Sequence, residues 1–345
     1  MHATVTSAAG PTPADDNGYR LGRGYRLDSL GVTLGGYANF RYENLEGRKA
    51  AFTPQDLSLF LGAELTPTWR FFSESEIGNA FTVTGAGLSG SGREFDVERL
   101  YLEHDLSTGL RLRIGKYLTP IGRWNLVHAD PLVWTVSRPL TTASAFARHA
   151  SGAEAIGAFR LGRGTLDYRL FLDDTGDLDP SQRTEEAFLD TDVQPNPRNA
   201  FDHGAGVRLV YRSLDDRLQL GFSAAHFKLQ DRPNGKNLVG ADLFYAVRRA
   251  ELTGEAVYRE SNGDAEGDDR GAFLQLAVPV YGEWFAVASH ERYKSGLFPE
   301  AADIDRFGVT YRPVPPVSVK IERRETRGEE RLAPDGWLLA FSLLL

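Results

Sequence analysis

The stretch VRLVYRSLDDRLQLGF, Val207 to Phe222, decides the fold. Val207, Leu209 and Tyr211 alternate with Arg208 and Arg212, the pattern breaks over Ser213 to Asp216, and it resumes at Leu218, Leu220 and Phe222. Apolar residues two apart share one face of a strand, whereas a helical face would need them three or four apart. The stretch is therefore two antiparallel strands joined by a tight turn, with one apolar face and one charged face.

The same period runs outward in both directions. It appears as Val32, Leu34, Ala38 and Phe40, as Leu57, Leu59 and Leu61, and as Leu110, Leu112 and Ile114 against Arg111 and Arg113. It returns in Leu166, Tyr168, Leu170 and Leu172 against Asp167 and Arg169, in Leu274, Leu276, Val278 and Val280, and in Trp337, Leu339, Phe341, Leu343 and Leu345. The expected strands are 31–43, 55–65, 69–82, 94–105, 109–117, 153–161, 165–172, 202–212, 217–229, 237–247, 250–260, 271–281, 284–293, 304–312, 317–326 and 337–345, sixteen in all. Doubled rings at Phe71-Phe72 and Trp284-Phe285, and the run Leu100 to Glu103, break the phase and are candidate bulges.

Connection lengths alternate. Short ones such as Thr66 to Thr68, Gly162 to Gly164, Arg248-Arg249 and Gly282-Glu283 take turns with long ones at 44–54, 83–93, 118–152, 173–201, 261–270 and 327–336. A soluble sandwich has no reason to gather tight turns at one end and long loops at the other, and a transmembrane barrel does. In a bilayer every backbone polar group needs an internal partner, so a sheet there must close on itself. The fold class is all-β: a transmembrane antiparallel up-and-down β-barrel of 16 strands. Rings at strand ends fit two headgroup girdles, with Trp69, Tyr211, Tyr245, Trp284 and Tyr311 at the short turns and Tyr42, Tyr258 and Trp337 at the long loops.

Composition agrees. Of 345 residues, 41% are apolar and 25% charged, with mean hydropathy −0.33. The longest nearly uncharged stretch, Ala272 to Ser289, contains Gln275, Pro279, Gly282 and Glu283, so no helix crosses a membrane here. The absence of cysteine excludes disulfides, thiolate metal sites and a cysteine nucleophile. The net charge of −8 argues against a nucleic-acid partner. Much of it is local, since Asp173 to Phe201 holds eight acids against Arg183 and Arg198. Residues 1–30, with a GYRL repeat at Gly18 to Leu21 and Gly24 to Leu27, are expected to be a flexible periplasmic lead-in, any signal peptide having been removed. Residues 31–345 are expected to be one barrel.

Val97 to Leu140 reads VERLYLEHDLSTGLRLRIGKYLTPIGRWNLVHADPLVWTVSRPL: strand, turn, strand, then a Gly-Lys-x-x-Thr-Pro-x-Gly start to a long loop. In this it resembles the outer-membrane porin superfamily that includes the phosphate-selective O and P porins. The resemblance implies a sixteen-stranded barrel in the bacterial outer membrane, a homotrimer, and a loop after the fifth strand, here 118–152, folded into the lumen.

Candidate chemistry is sparse. Gly85-Ala86-Gly87-Leu88-Ser89-Gly90 matches a dinucleotide fingerprint in letters, but a strand follows it where phosphate binding needs a helix N-terminus. The histidines His2, His104, His128, His149, His203, His226 and His290 form no closely spaced metal pair, and no serine carries a nucleophile motif. Asp173, Asp174, Asp177 and Asp179 are a weak candidate Ca²⁺ site without EF-hand order, weighed against a solvated outer loop. The long loop has only Asp130 against Arg123, Arg138 and Arg148. Together with Arg111 and Arg113 on the strand feeding it, these five arginines are the expected constriction. The reading is a passive diffusion channel for small hydrophilic solutes that prefers anions such as phosphate or carboxylates, with no cofactor, no catalysis, and lipid and small polar or anionic solutes as partners. An export conduit for an anionic polysaccharide or polymer is the alternative, and a barrel enzyme or a structural or adhesive protein the more distant one. Leu209 and Leu276 are expected on the lipid face, and Arg208 and Gln275 on a lumen face that takes polar changes cheaply.

Overall fold

The computed structural model describes residues 18–90, 94–127, 129–179, 199–230, 232–263 and 267–345. Its first half contains β1 (Gly18–Arg20), β2 (Gly24–Leu27), β3 (Val32–Leu45), β4 (Ala51–Glu64), β5 (Trp69–Gly78), β6 (Thr82–Thr84), β7 (Gly87–Ser89), β8 (Glu94–Ser107), β9 (Leu110–Leu118), β10 (His149–Leu161) and β11 (Gly164–Asp173). The second half contains β12 (Phe201–Ser213), β13 (Leu218–Leu229), β14 (Gly235–Val247), β15 (Ala250–Ser261), β16 (Asp269–Tyr281), β17 (Trp284–Lys294), β18 (Ala302–Val314), β19 (Val317–Gly328) and β20 (Gly336–Leu344). Sixteen of these, β3 to β5 and β8 to β20, pair antiparallel with their neighbours, and β20 closes the ring on β3 through Leu344↔Tyr37 to Gly336↔Leu45. The chain is a closed sixteen-stranded antiparallel β-barrel.

The Val207–Phe222 hairpin shows how the sequence builds a turn. Ser213 Oγ donates to Asp215 Oδ1 at 2.7 Å and accepts from the Leu218 N–H at 3.0 Å, while Asp216 takes a left-handed φ of 54°. Those contacts satisfy turn groups that the ladder leaves over. The Ser213 hydroxyl and the Arg217 N–H hold the Asp215 carboxyl below its ordinary range.

The two phases of each strand separate cleanly. Leu59, Ile114, Leu172, Leu274, Leu276 and Phe307 are exposed on the outside, and none of the described residues covers them. Trp69, Tyr245 and Trp284 lie exposed near the short turns, Trp284 stacking on Tyr311 at 4.6 Å, and Tyr42, Tyr258 and Trp337 lie exposed toward the long loops. The opposite phase holds the buried charges, among them Glu74, Arg113, Glu154, Arg208, Glu255, Glu291, Arg306 and Lys320. Buried polar groups inside and exposed apolar groups outside invert the arrangement of a water-soluble protein and match a barrel solvated by lipid.

Three differences from the sequence reading have physical causes. Residues 18–30 include the hairpin β1–β2, which extends the sheet below the chain end through Tyr25↔Leu34; two GYRL copies around a turn are enough to pair once β3 offers an edge. Residues 1–17 lie outside the described residues. The third strand ends at Gly78, and 82–89 form the β6–β7 hairpin, which continues the sheet on β4 where the fingerprint letters lie. Finally, Phe72 and Tyr101 are not bulge residues: they belong to the inward phase, opposite Gly62 and Gly115, and the register shifts of their strand pairs fall elsewhere, at Glu74/Ser75 and Asp105/Ser107, whereas at Trp284-Phe285 the pairing does shift, Phe285 lying opposite Pro279 and Trp284 opposite Tyr281.

Candidate functional site

After β9 the chain does not continue outward. Residues 119–148 carry almost no exposed surface among those described, and their partners are inward side chains of strands all round the barrel. Trp124 N–H donates to Glu255 on β15, Trp134 Nε1 to Glu251 Oε2 at 2.7 Å, and Val136 N–H to Glu322 Oε2 on β19 at 2.8 Å. Thr141 gives both its N–H and its hydroxyl to Glu291 Oε1 on β17, at 2.7 and 2.8 Å. Cations bind the loop's carbonyls in turn: Arg312 reaches Val133 O at 2.9 Å, Arg41 reaches Val136 O at 3.2 Å and Lys320 reaches Thr135 O at 3.2 Å. An irregular backbone carries orphan donors and acceptors that are costly to bury, and charged partners make the strong bonds that offset this. Gly122, at φ +64°, lets the backbone come so near that an added Cβ would sit 2.3 Å from Glu255 Oε2.

Small apolar clusters complete the anchoring. Ile121, Ala145 and Phe146 pack with Phe171, Phe201, Phe227 and Leu238. Trp134 packs with Phe285 and Val287, Val136 with Leu45 and Leu338, and Trp124 with Val133 and Phe273. The loop is held at several points of the wall and not by a single tether.

The five arginines singled out from sequence divide into two groups. Arg111 and Arg113 face the lumen, but inside a ladder of acids: Arg111 Nε donates to Asp105 Oδ1 at 2.8 Å, and Arg113 bridges Glu103 and Glu154 at 2.7 and 2.8 Å beneath the Tyr101 ring. Arg123, at the loop's start, donates to Gln219 Oε1 at 3.0 Å and lies 4.1 Å over the Phe244 ring. Arg138 and Arg148 have partners of their own. Arg138 binds Asn125 Oδ1 and stacks on Trp124, and Arg148 pairs with Glu98 at 3.2 Å. Partners on the loop and on β8 thus hold two of the five arginines expected at the constriction.

Sequence reasoning missed what surrounds Arg123. A small lumen cavity brings it together with Arg169, Arg208 and Arg212, which are paired with Glu154, Asp242 and Asp167 respectively. An adjoining cavity of about 270 Å³ shares Arg169 and Arg212 and adds Arg111 and Arg113, with Asp105 and Asp167 opposing. The signal was present in the Arg-x-Arg alternation of β9 and in Asp167, Arg169, Arg208 and Arg212, all opposite in phase to the apolar face.

Two of the four aspartates of the weak Ca²⁺ candidate, Asp173 and Asp179, are engaged by protein partners. Asp173 accepts from Ser151 N–H at 2.7 Å and from the Thr175 hydroxyl at 2.6 Å, Asp174 opens a short helical turn at Thr175–Leu178, and Asp179 pairs with Lys116 at 3.1 Å. No cluster of three or more His, Cys, Asp or Glu suited to a metal occurs among the described residues. Residues 180–198 of the acidic segment and His128 lie outside those residues.

No protein-family model matches the chain. An uncharacterised protein of Aquifex aeolicus (strain VF5) is 35% identical over 133 residues, which is 38% of this chain and 28% of that protein. The match thus spans just over a quarter of that relative's length. Among solved structures, an anion-selective porin from Comamonas acidovorans superposes with a TM-score of 0.61 at 13% identity, covering 91% of this chain and 98% of its own. OmpT of Vibrio cholerae, folded in vitro and in its trimer form, gives 0.59 at 9% identity over 91% and 99%. The outer membrane channel DcaP of Acinetobacter baumannii gives 0.59 at 11% identity over 94% and 100%. The architecture is that of outer-membrane porins.

Proposed function

We propose that the protein is a passive diffusion channel of the bacterial outer membrane for small hydrophilic solutes, that it prefers anions, phosphate or carboxylates among them, and that it works as a homotrimer. The observation that carries the anion preference is Arg123 on the lumen wall: Arg169, Arg208 and Arg212 beside it are paired with Glu154, Asp242 and Asp167, whereas the Arg123 guanidinium meets the neutral Gln219, although the chain as a whole bears −8. A low-dielectric wall focuses that local field into the lumen, and acids of the outer loops beyond a Debye length of about 8 Å are screened at physiological salt. The in-folded loop narrows the path at the level of these arginines, where a solute must exchange hydration for wall contacts. The porin architecture, with a trimer form of OmpT and an anion-selective porin among similar structures, supports the same reading.

The test is the reversal potential of the purified channel in a planar bilayer under a KCl gradient. The wild type should favour chloride, and Arg111→Gln with Arg123→Gln should move the potential toward the cation side. Arg113 is left intact because it holds two buried glutamates. A cation-selective wild type, or an unchanged potential in the double variant, refutes the assignment.

A further inference from the structure

Tyr37, Phe60, Phe72 and Tyr101 come from four successive barrel strands, β3, β4, β5 and β8, and their rings follow one another at centroid distances of 5.7, 5.9 and 5.3 Å. All four lie in the lumen phase. Each of the last three has a glycine as its partner on one neighbouring strand, Gly35, Gly62 and Gly115, and on the other side Phe60 faces Glu74 while Phe72 and Tyr101 face each other. Phe60, Phe72 and Tyr101 border a lumen cavity of about 890 Å³ on the short-turn side of the loop, with the buried Tyr37 packed behind Phe60. Leu132 of the loop lines the same cavity and is itself 39% exposed.

Apolar surface left facing water costs roughly 25 cal/mol per Å², and a wall made only to pass inorganic ions gains nothing from it. Cations stand among the rings. The Arg99 guanidinium lies 4.7 Å from the Phe72 centroid and 5.8 Å from that of Phe60, tethered to Glu74, with 21% of its side chain exposed. Arg23 of the N-terminal hairpin and Arg111 line the cavity as well. The carboxylate of Glu103 is engaged by Arg113 at 2.7 Å.

We propose that this vestibule is a binding subsite for organic anions with a flat apolar body, of which an aromatic carboxylate is the simplest. The body would lie against the ring row and Leu132, and the carboxylate would meet Arg99. The inference rests on the channel reading and narrows it, from anions in general to amphipathic ones.

Benzoate, acetate and benzyl alcohol separate the components. Benzoate should block the KCl current of the full chain in planar bilayers saturably, while acetate and benzyl alcohol at equal concentration should not. Phe72→Leu and Arg99→Gln should each raise the half-blocking concentration about three- to ten-fold, the range expected for one ring or one cation contact. Retained heat-modifiability on gels shows that each variant still folds. Calorimetry of benzoate with the detergent-solubilised chain reads the subsite whether or not the barrel conducts. A conducting barrel on which benzoate acts no better than acetate, with no heat of binding, overturns the subsite and leaves the channel standing. A barrel that never conducts yet binds benzoate with the same dependence on Phe72 and Arg99 overturns the channel and supports the subsite.

Discussion

Replacing Leu276 with arginine tests the outward face directly. Leu276 is 44% exposed on β16, between Leu252 of β15 and Ala288 of β17, and it lies five positions from Tyr281 at the short-turn end. At about 3.3 Å per residue and a tilt near 40°, those five positions rise about 13 Å. This is half of an apolar band about 25 Å tall, so the side chain sits close to the bilayer midplane. A guanidinium there should cost about 2–4 kcal/mol, against about 0–1 near the interface. At about 1.4 kcal/mol per tenfold, the folded-to-unfolded ratio should fall roughly 30- to 700-fold. Urea titration of the barrel refolded into lipid vesicles, followed by tryptophan fluorescence, measures this, with Val280→Arg as the shallow control. Equal costs at 276 and 280, or no cost at either, would refute the placement of β16 in the membrane.

The remaining predictions concern the wall and its joints. Glu322→Ala removes the acceptor for Val136 N–H and for both donors of Ser137, so single-channel recordings should show larger and noisier openings, while current indistinguishable from wild type would mean that this anchor does not hold the loop. Gly115→Ala should cost about 1–3 kcal/mol in the same urea titration, because φ is +131° and a Cβ would lie 2.1 Å from Leu100 O. Gly62→Ala, where nothing comes closer than 3.9 Å, should be nearly neutral, and a reversed order would contradict the ring-over-glycine register. Arg208→Gln should destabilise by about 3–5 kcal/mol, since it strands the buried Asp242 carboxylate that Arg208 holds with two nitrogens; a cost below 1 kcal/mol would show the pair to be dispensable.

The Arg208 case marks where the sequence stops being legible. The alternation through Val207, Leu209 and Tyr211 places Arg208 in the lumen correctly, but it carries nothing about how far the wall opposite it is filled. Arg208 was expected to tolerate change because a lumen position implies water, whereas a carboxylate two strands away, thirty-four residues on, makes it structural. The strand period is a local signal, repeated sixteen times and reinforced by every tight turn, so fold and strand number could be read from it. The loop's path is set by Glu251, Glu255, Glu291 and Glu322, more than a hundred residues downstream, and no spacing rule links them to Trp134, Trp124, Thr141 or Ser137. The same limit hid the ring row. Phe72 and Tyr101 look like phase errors as long as the lumen is taken to be uniformly polar, and become a continuous surface only when register sets them beside Phe60 and over glycines. An aromatic residue in the polar phase of a barrel strand is therefore better read first as a candidate solute contact, and as a bulge only where the pairing itself shifts.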